Sequence, residues 1–314
     1  MVTPMTMEIT FLGTGGSWPS SERNVLSIAL RTGGDVILLD CGEGTQRQLM
    51  RSHLSFMAVS RIFISHFHGD HFLGIPGLVQ SMSLNDRKDA LHIYGPPGAA
   101  EFLEKLLTCG YFGLKFDVVV HELGVEDAVR WGRYTIRPIP VRHSVPTYGY
   151  VLQEDPRPGK FDRARAEALG VPPGPLYSKL QRGESVEIDG RVITSDMVVG
   201  PPRPGLKIVY SGDTAVCPEV EREAIDADVL IHEATLLSDL QDKAHEYGHA
   251  TAREAAEMAR RCSVRYLFLV HISPRYRDPE VILKEAREVF KDAVVPSDLE
   301  HWRIPYRDSI SNSS

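Results

Sequence analysis

Ile62-Phe63-Ile64-Ser65-His66-Phe67-His68-Gly69-Asp70-His71 is an apolar, β-branched run that gives way to four potential metal ligands within six residues. In an extended backbone, residues two apart point to the same side, so His66 and His68 reach one ion together. Gly69 lets the chain turn tightly. Asp70 and His71 then face the same space from beyond the turn, where a second ion can sit. Imidazole and carboxylate ligate zinc at about 2.0–2.2 Å, and a single catalytic zinc must keep one position open. Four donors are too many for it, and two ions about 3.5–4 Å apart fit better. A solvated loop with chance histidines is the plain alternative, and this spacing after a buried-type strand argues against it.

The pattern resembles the H-x-H-x-D-H signature of the metallo-β-lactamase superfamily. That resemblance implies an α/β chain folded as a four-layer αββα sandwich with metals at one edge.

The 314 residues are enough for one large domain or two small ones. A hydrophobic fraction of 42% and a charged fraction of 25% are ordinary for a globular protein. No apolar run approaches about 18 residues, so no membrane span is expected. The N-terminus lacks a basic-then-apolar signal pattern, which points away from secretion. Met1–Thr6 have no periodicity and are expected to fray, as is the polar tail after Arg307. Cys41, Cys109, Cys217 and Cys262 are scattered without a C-x-x-C pair and read as reduced, buried thiols of a cytoplasmic protein. A net charge of −7 argues, taken alone, against a polyanionic partner. Bound cations and a local basic patch can reverse that locally.

Glu8–Leu12 reads as a strand stopping at Gly13-Thr14-Gly15-Gly16, glycines that admit a close neighbour. Pro19 and polar residues follow where a dinucleotide fold would open a helix, so that reading is rejected. Val25–Leu30 and Val36–Leu39 predict a hairpin across Gly33-Gly34. Helices are expected over Thr45–Arg51, Phe72–Leu84, Ala99–Leu107, Ala252–Arg261 behind a capping box at Thr251-Ala252-Arg253-Glu254, and Pro279–Phe290. Between Gln153 and Pro204 the composition shifts to Pro, Gly, Lys and Arg around a short helix, Asp162–Leu169. The segment reads as an insertion in a single domain spanning residues 1–314, of the long kind that is usually functional or disordered.

Further strands end at His143, Asp213 and His271. A carboxylate can bridge two cations, so the assignment is symmetrical. One ion takes His66, His68 and His143, the other takes Asp70, His71 and His271, and Asp213 joins them. Two zinc ions are the expected cofactor, with manganese or iron as alternative occupants. Water held between such ions becomes a nucleophile near neutral pH, which suits hydrolysis of a phosphodiester, β-lactam or thioester.

Phe11-Leu12-Gly13-Thr14-Gly15, Arg23-Asn24, Leu39-Asp40-Cys41-Gly42-Glu43-Gly44-Thr45-Gln46, Ser211-Gly212-Asp213-Thr214 and His232-Glu233-Ala234-Thr235 narrow the choice. With the histidine cluster they resemble the ribonuclease Z family over nearly the whole chain. The resemblance implies an endoribonuclease that cuts the 3′ trailer from precursor tRNA, acting as a cytoplasmic homodimer. It implies that Leu169–Tyr177 lies in a tRNA-binding exosite arm whose Lys160, Arg163, Arg165, Lys179 and Arg182 meet phosphates. It also implies that Glu233 and His249 form a proton-donating pair and that Asp70 orients or deprotonates the attacking water. Ser273, Arg275 and Tyr276 follow a ligand and are placed to reach the phosphate. The chain departs from the family pattern at Ser21, where a lysine is usual, and at Ala250, where serine is common. His53, His92, His121, His245 and His301 match no motif and read as structural or exposed. A hydrolase of small phosphodiesters or esters on the same fold, and a non-catalytic RNA-binding module, are the competing readings.

Overall fold

A computed structural model describes residues 7–111 and 113–307. The readings for Met1–Thr6 and for the tail beyond Arg307 lie outside the described residues. The first sheet holds β1 (Met7–Gly13), β2 (Ser27–Thr32), β3 (Asp35–Leu39), β4 (Val59–Phe63), β5 (Leu91–Gly95), β6 (Val118–Glu122) and β16 (His301–Ile304), in the order β16-β1-β2-β3-β4-β5-β6. The second holds β7 (Val129–Trp131), β8 (Tyr134–Pro140), β9 (Tyr148–Glu154), β12 (Lys207–Tyr210), β13 (Val229–Glu233), β14 (Tyr266–Val270) and β15 (Ala293–Val294), in the order β15-β14-β13-β12-β9-β8-β7. A short hairpin pairs β10 (Val186–Ile188) with β11 (Arg191–Ile193).

Side-chain alternation along the strands builds the layers. On β4, Ile62 packs outward with Leu78, Val79 and Met82 of the helix Ile75–Leu84. Phe63 faces the other way, stacking on Tyr94 and meeting Tyr150 of the second sheet edge-on at 5.4 Å. Phe11 and Phe268 close the same inner layer with ring centroids 5.0 Å apart. On the far side, Leu230, Leu267 and Leu269 pack against the buried alanine face of Ala252–Arg261. Helix, sheet, sheet, helix is the metallo-β-lactamase architecture expected from the sequence.

The expected hairpin forms, with Thr32 paired to Asp35 across Gly33-Gly34. Thr45–Arg51 and Ala252–Arg261 are helical over the predicted spans, and the capping box is made. The single helix expected over Phe72–Leu84 is two, Gly69–Phe72 and Ile75–Leu84. The break falls at Gly74, where a Cβ would lie 2.0 Å from the Gly42 carbonyl oxygen. Cys41, Cys217 and Cys262 are buried thiols, but Cys109 is exposed, because it caps the helix Ala99–Thr108 at its surface end.

The chain divides into two compact units, the smaller being Arg130–Thr135 with Gln153–Leu206. That smaller unit is more ordered than its composition implies. Besides the helix Arg163–Ala168, capped by Asp162, it holds a second helix, Pro175–Gln181, and the β10–β11 hairpin. Ala166, Val171, Leu180, Val186, Ile193 and Val198 form its own small core.

Candidate metal centre

Parallel pairing of β3 with β4, and of β12, β13 and β14, brings their carboxyl ends to common edges. Ligand sites of open α/β sheets gather at such ends. The structure brings all seven predicted ligands together there. His66 Nε2 lies 2.9 Å from His68 Nδ1, which lies 3.2 Å from His143 Nε2. His271 Nε2 lies 3.2 Å from Asp70 Oδ2 and 3.1 Å from Asp213 Oδ2. His71 Nε2 is 3.6 Å from Asp70 Oδ2 and 3.3 Å from Asp213 Oδ2, and His66 Nε2 is 3.8 Å from that same oxygen.

Donors about 2.1 Å from a tetrahedral zinc stand about 3.4 Å from one another, which is the spacing seen. His71 Nε2 and Asp213 Oδ1 are buried without a hydrogen-bond partner. Orphaned polar atoms of this kind are costly unless something fills the space between them. The donor set fits two divalent cations that share Asp213.

The other ring nitrogens are anchored. His71 Nδ1 donates to Asp40 Oδ2 at 2.8 Å, His143 Nδ1 donates to the Gly248 carbonyl at 2.9 Å, and His66 Nδ1 lies 3.0 Å from Ser65 Oγ. Asp40 sits at φ 58°, an uncommon conformation for a residue with a Cβ. Its carboxylate also accepts from Ser65 N–H at 2.6 Å, Ser65 Oγ at 2.8 Å and Tyr210 OH at 2.5 Å. This histidine-orienting role was missed in the sequence. A lone acid closing a buried strand was the available signal, since ligand histidines usually pair their second nitrogen.

Two glycines are required by the packing. At Gly212 (φ 60°) the chain turns so tightly that a Cβ would meet the Tyr148 carbonyl at 2.8 Å, and Asp213 is thereby aimed inward. At Gly16 a Cβ would fall 2.5 Å from the His271 ring, which identifies the close neighbour that the glycine run admits.

Charges in the centre follow from burial and crowding. Burial, then neighbouring imidazoles, hold His66 and His68 below the usual histidine range. Burial also lowers His143, against the pull of Asp213. For His71, burial pushes down, but Asp213, Asp40 and Asp70 together carry it well above that range. Burial raises Asp70 and Asp213, and the nearby histidines more than reverse it.

Glu233 and His249 are joined, Oε1 to Nδ1, at 2.9 Å, and His249 Nδ1 is 4.0 Å from Asp213 Oδ2. Burial disfavours the imidazolium, yet Glu233 outweighs it and lifts His249 to about 9. Burial raises Glu233, and His249 outweighs that in turn, leaving the carboxyl below its ordinary value.

Residues around the centre vary in their freedom. The Ser273 hydroxyl accepts from Arg275 Nε at 3.3 Å, and the Tyr276 hydroxyl accepts from Leu237 N–H. Arg23 donates to Thr14 and to the Pro296 carbonyl, and Asn24 donates to the Glu43 carbonyl, so both brace loops. Of the unmatched histidines, His53 pairs with buried Glu8, His92 faces His121 at 3.0 Å, and His245 meets Glu254 at 2.6 Å. His301 lies against His53 with the rings tilted by 52° and centroids 4.8 Å apart.

Residues 7–156 match the family model of the anti-Pycsar protein Apyc1, and residues 182–272 match the beta-lactamase superfamily domain. The Ribonuclease Z of Methanosarcina acetivorans is 50% identical over 302 residues, 96% of this chain and 99% of that protein. The chain belongs to the ribonuclease Z family. The Ribonuclease Z of Pyrococcus horikoshii is 44% identical over 95% of this chain and 96% of that protein. Among solved structures, human tRNase Z, short form, superposes with a TM-score of 0.70 at 29% identity, over 95% of this chain and 100% of that one. A yeast PDE1 structure with a TM-score of 0.59 at 14% identity shares the fold. The match to these ribonuclease Z relatives spans both halves of the sandwich.

Proposed function

We propose that this chain is an endoribonuclease that removes the 3′ trailer from precursor tRNA by hydrolysing one phosphodiester. The observation that carries the reading is a Glu233–His249 pair, set beside two donor triads, with Asp213 Oδ2 facing His66 of one and His71 and His271 of the other, in a chain of this family.

His66, His68 and His143 would hold one ion, and Asp70, His71 and His271 the other, with Asp213 between them. When bound, the ions supply Lewis acidity toward the phosphate and lower the pKa of water. The remaining work belongs to the side chains. Asp70 Oδ2 accepts from Ser17 N–H at 2.6 Å, which fixes the carboxylate that would orient the attacking water. The 3′ oxygen leaves poorly as an alkoxide and needs a proton. His249, kept charged by Glu233, donates it as the P–O3′ bond breaks, leaving a 3′ hydroxyl on the mature end. Imidazole and carboxylate donors suit zinc.

The Gln153–Pro204 segment is read as a tRNA-gripping arm inserted in one domain. Its Lys160, Arg163, Arg165, Lys179 and Arg182 are exposed, and the first three border a cavity of about 1250 Å³. We read the active form as a homodimer on family resemblance, and a cytoplasmic location goes with the substrate. Among the described residues no helix is long and apolar enough to cross a membrane.

Incubating zinc-loaded protein with an unprocessed tRNA transcript and mapping the ends tests this directly. A single cut 3′ to the acceptor stem is expected, and no cut overturns the reading. Deleting residues 159–181 should abolish tRNA cleavage and spare hydrolysis of a small model diester. Equal loss or equal retention of both activities would argue against a tRNA-specific arm.

A further inference from the structure

We propose that Thr235 is a positioning residue whose single hydroxyl fixes both the tautomer of His271 and the orientation of Glu233. The inference rests on the metal reading above and concerns a residue outside both donor triads.

Thr235 follows β13, and its Oγ1 has three polar neighbours. Glu233 Oε2 lies at 2.6 Å, His271 Nδ1 at 2.8 Å and His249 Nδ1 at 3.3 Å. The residue is buried, 7% exposed, so no solvent replaces these partners. A hydroxyl carries one proton, and an ionised carboxylate can only accept. The short contact to Glu233 therefore takes that proton. Toward His271 the oxygen is left as an acceptor, so Nδ1 must carry a hydrogen. The lone pair of His271 then lies on Nε2, the atom that faces Asp70 and Asp213 at 3.2 and 3.1 Å. The opposite tautomer would turn an N–H into the space meant for a cation.

At the other end of the hydroxyl, Glu233 is held by both oxygens. Oε2 accepts from the Thr235 hydroxyl and, at 3.3 Å, from the Thr235 amide. Oε1 accepts from Thr214 N–H at 2.7 Å and meets His249 at 2.9 Å. One side chain thus couples a ligand histidine to the acid that charges His249. The same device recurs in the first sheet, where the Ser65 hydroxyl donates to Asp40 and accepts from His66 Nδ1. Two hydroxyls, each between a donor imidazole and a buried carboxylate, make a shared design and argue against coincidence.

Valine matches threonine in shape and lacks the hydroxyl, and serine keeps the hydroxyl without the methyl. Zn2+ affinity is read by competition with a chelator, and turnover is read separately on tRNA. T235V should lose about 10- to 100-fold in affinity at one of two sites, the usual scale for removing a partner of a ligand histidine. It should lower kcat more than KM, and T235S should recover most of both. Long-range nitrogen–proton NMR of zinc-loaded, 15N-histidine-labelled wild type should show His271 protonated at Nδ1 and coordinated through Nε2. That spectrum tests the proposal even where T235V fails to fold. Unchanged zinc affinity in T235V, a T235S as impaired as T235V, or His271 bound through Nδ1 overturns it. Wild-type protein that takes up no zinc overturns the metal reading and this proposal together, whereas two bound ions and an unaffected T235V overturn this proposal alone.

Discussion

Replacing Asp40 with asparagine tests how the centre is held. The carboxylate accepts from four donors, namely Ser65 N–H, Ser65 Oγ, Tyr210 OH and His71 Nδ1. Asparagine can keep the first through its carbonyl oxygen. Its amide nitrogen then faces the three that gathered on Oδ2. The two hydroxyls can turn and accept, but the imidazole can accept only by moving its proton to Nε2, where a cation needs a lone pair. Either a hydrogen bond to a charged group is lost or a ligand is. The first costs about 1.5–3 kcal/mol, and every 1.4 kcal/mol is a factor of about ten. Zinc affinity at the Asp70–His71–His271 site should therefore fall about 10- to 150-fold, while the His66–His68–His143 site falls less, because His66 meets the carboxylate only through the Ser65 hydroxyl. Chelator competition followed to two equivalents reads the sites separately. Y210F is the control, since it removes one donor, leaves the carboxylate, and should weaken binding several-fold less. A folded D40N that binds both ions with wild-type affinity would refute the argument that His71 is oriented through Asp40.

Gly16→Ala places a methyl 2.5 Å from the His271 ring, which has to move. A shift near 1 Å at a reacting site can cost about 100-fold, so kcat should drop on that scale while circular dichroism stays unchanged. Thr251→Ala removes the side-chain arm of the capping box of Ala252–Arg261, leaving the backbone amide of residue 251 on Glu254, and should cost about 1 kcal/mol in urea denaturation. Burial pushes the Glu8 carboxyl up, but hydrogen bonds from His53 and Arg303 and the charge of Arg31 outweigh it, leaving the group below its usual range. Its stabilisation is then complete above the ordinary carboxylate pKa and is lost as pH falls through the lowered value. Glu8→Gln should flatten that limb of the stability–pH curve by about 1 kcal/mol, a modest figure because the partners are partly exposed.

What the sequence revealed was local. A β-branched run ending in ligands, a capping box before an alanine-rich helix, and two glycines between strands each act within a few residues. They placed β4, Ala252–Arg261 and the β2–β3 hairpin. Contacts over long separations left no such trace. Tyr210 reaches Asp40 across 170 positions, and Gly74 is pressed against Gly42 by the fold. The helix expected over Phe72–Leu84 therefore read as continuous, and Asp40 read only as a strand end. Residues 153–204 show only one of their two helices and no hairpin in their sequence pattern, for another reason. Their apolar residues are few and spaced by Pro and Gly, yet a core of six buried side chains suffices for a unit this small.

His143, Asp213 and His271 come from one sheet's side of the sandwich, while His66, His68, Asp70 and His71 come from the other. Neither of the two proposed ions could be caged by one half alone. Occupancy would then be a clasp between the layers, adding cohesion that grows with the logarithm of free metal once the sites begin to fill. Starving a cell of the cation would then do more than idle the catalyst. It would shorten the polypeptide's survival against proteases, so supply of the ion would govern how much of the protein persists as well as how fast each copy works.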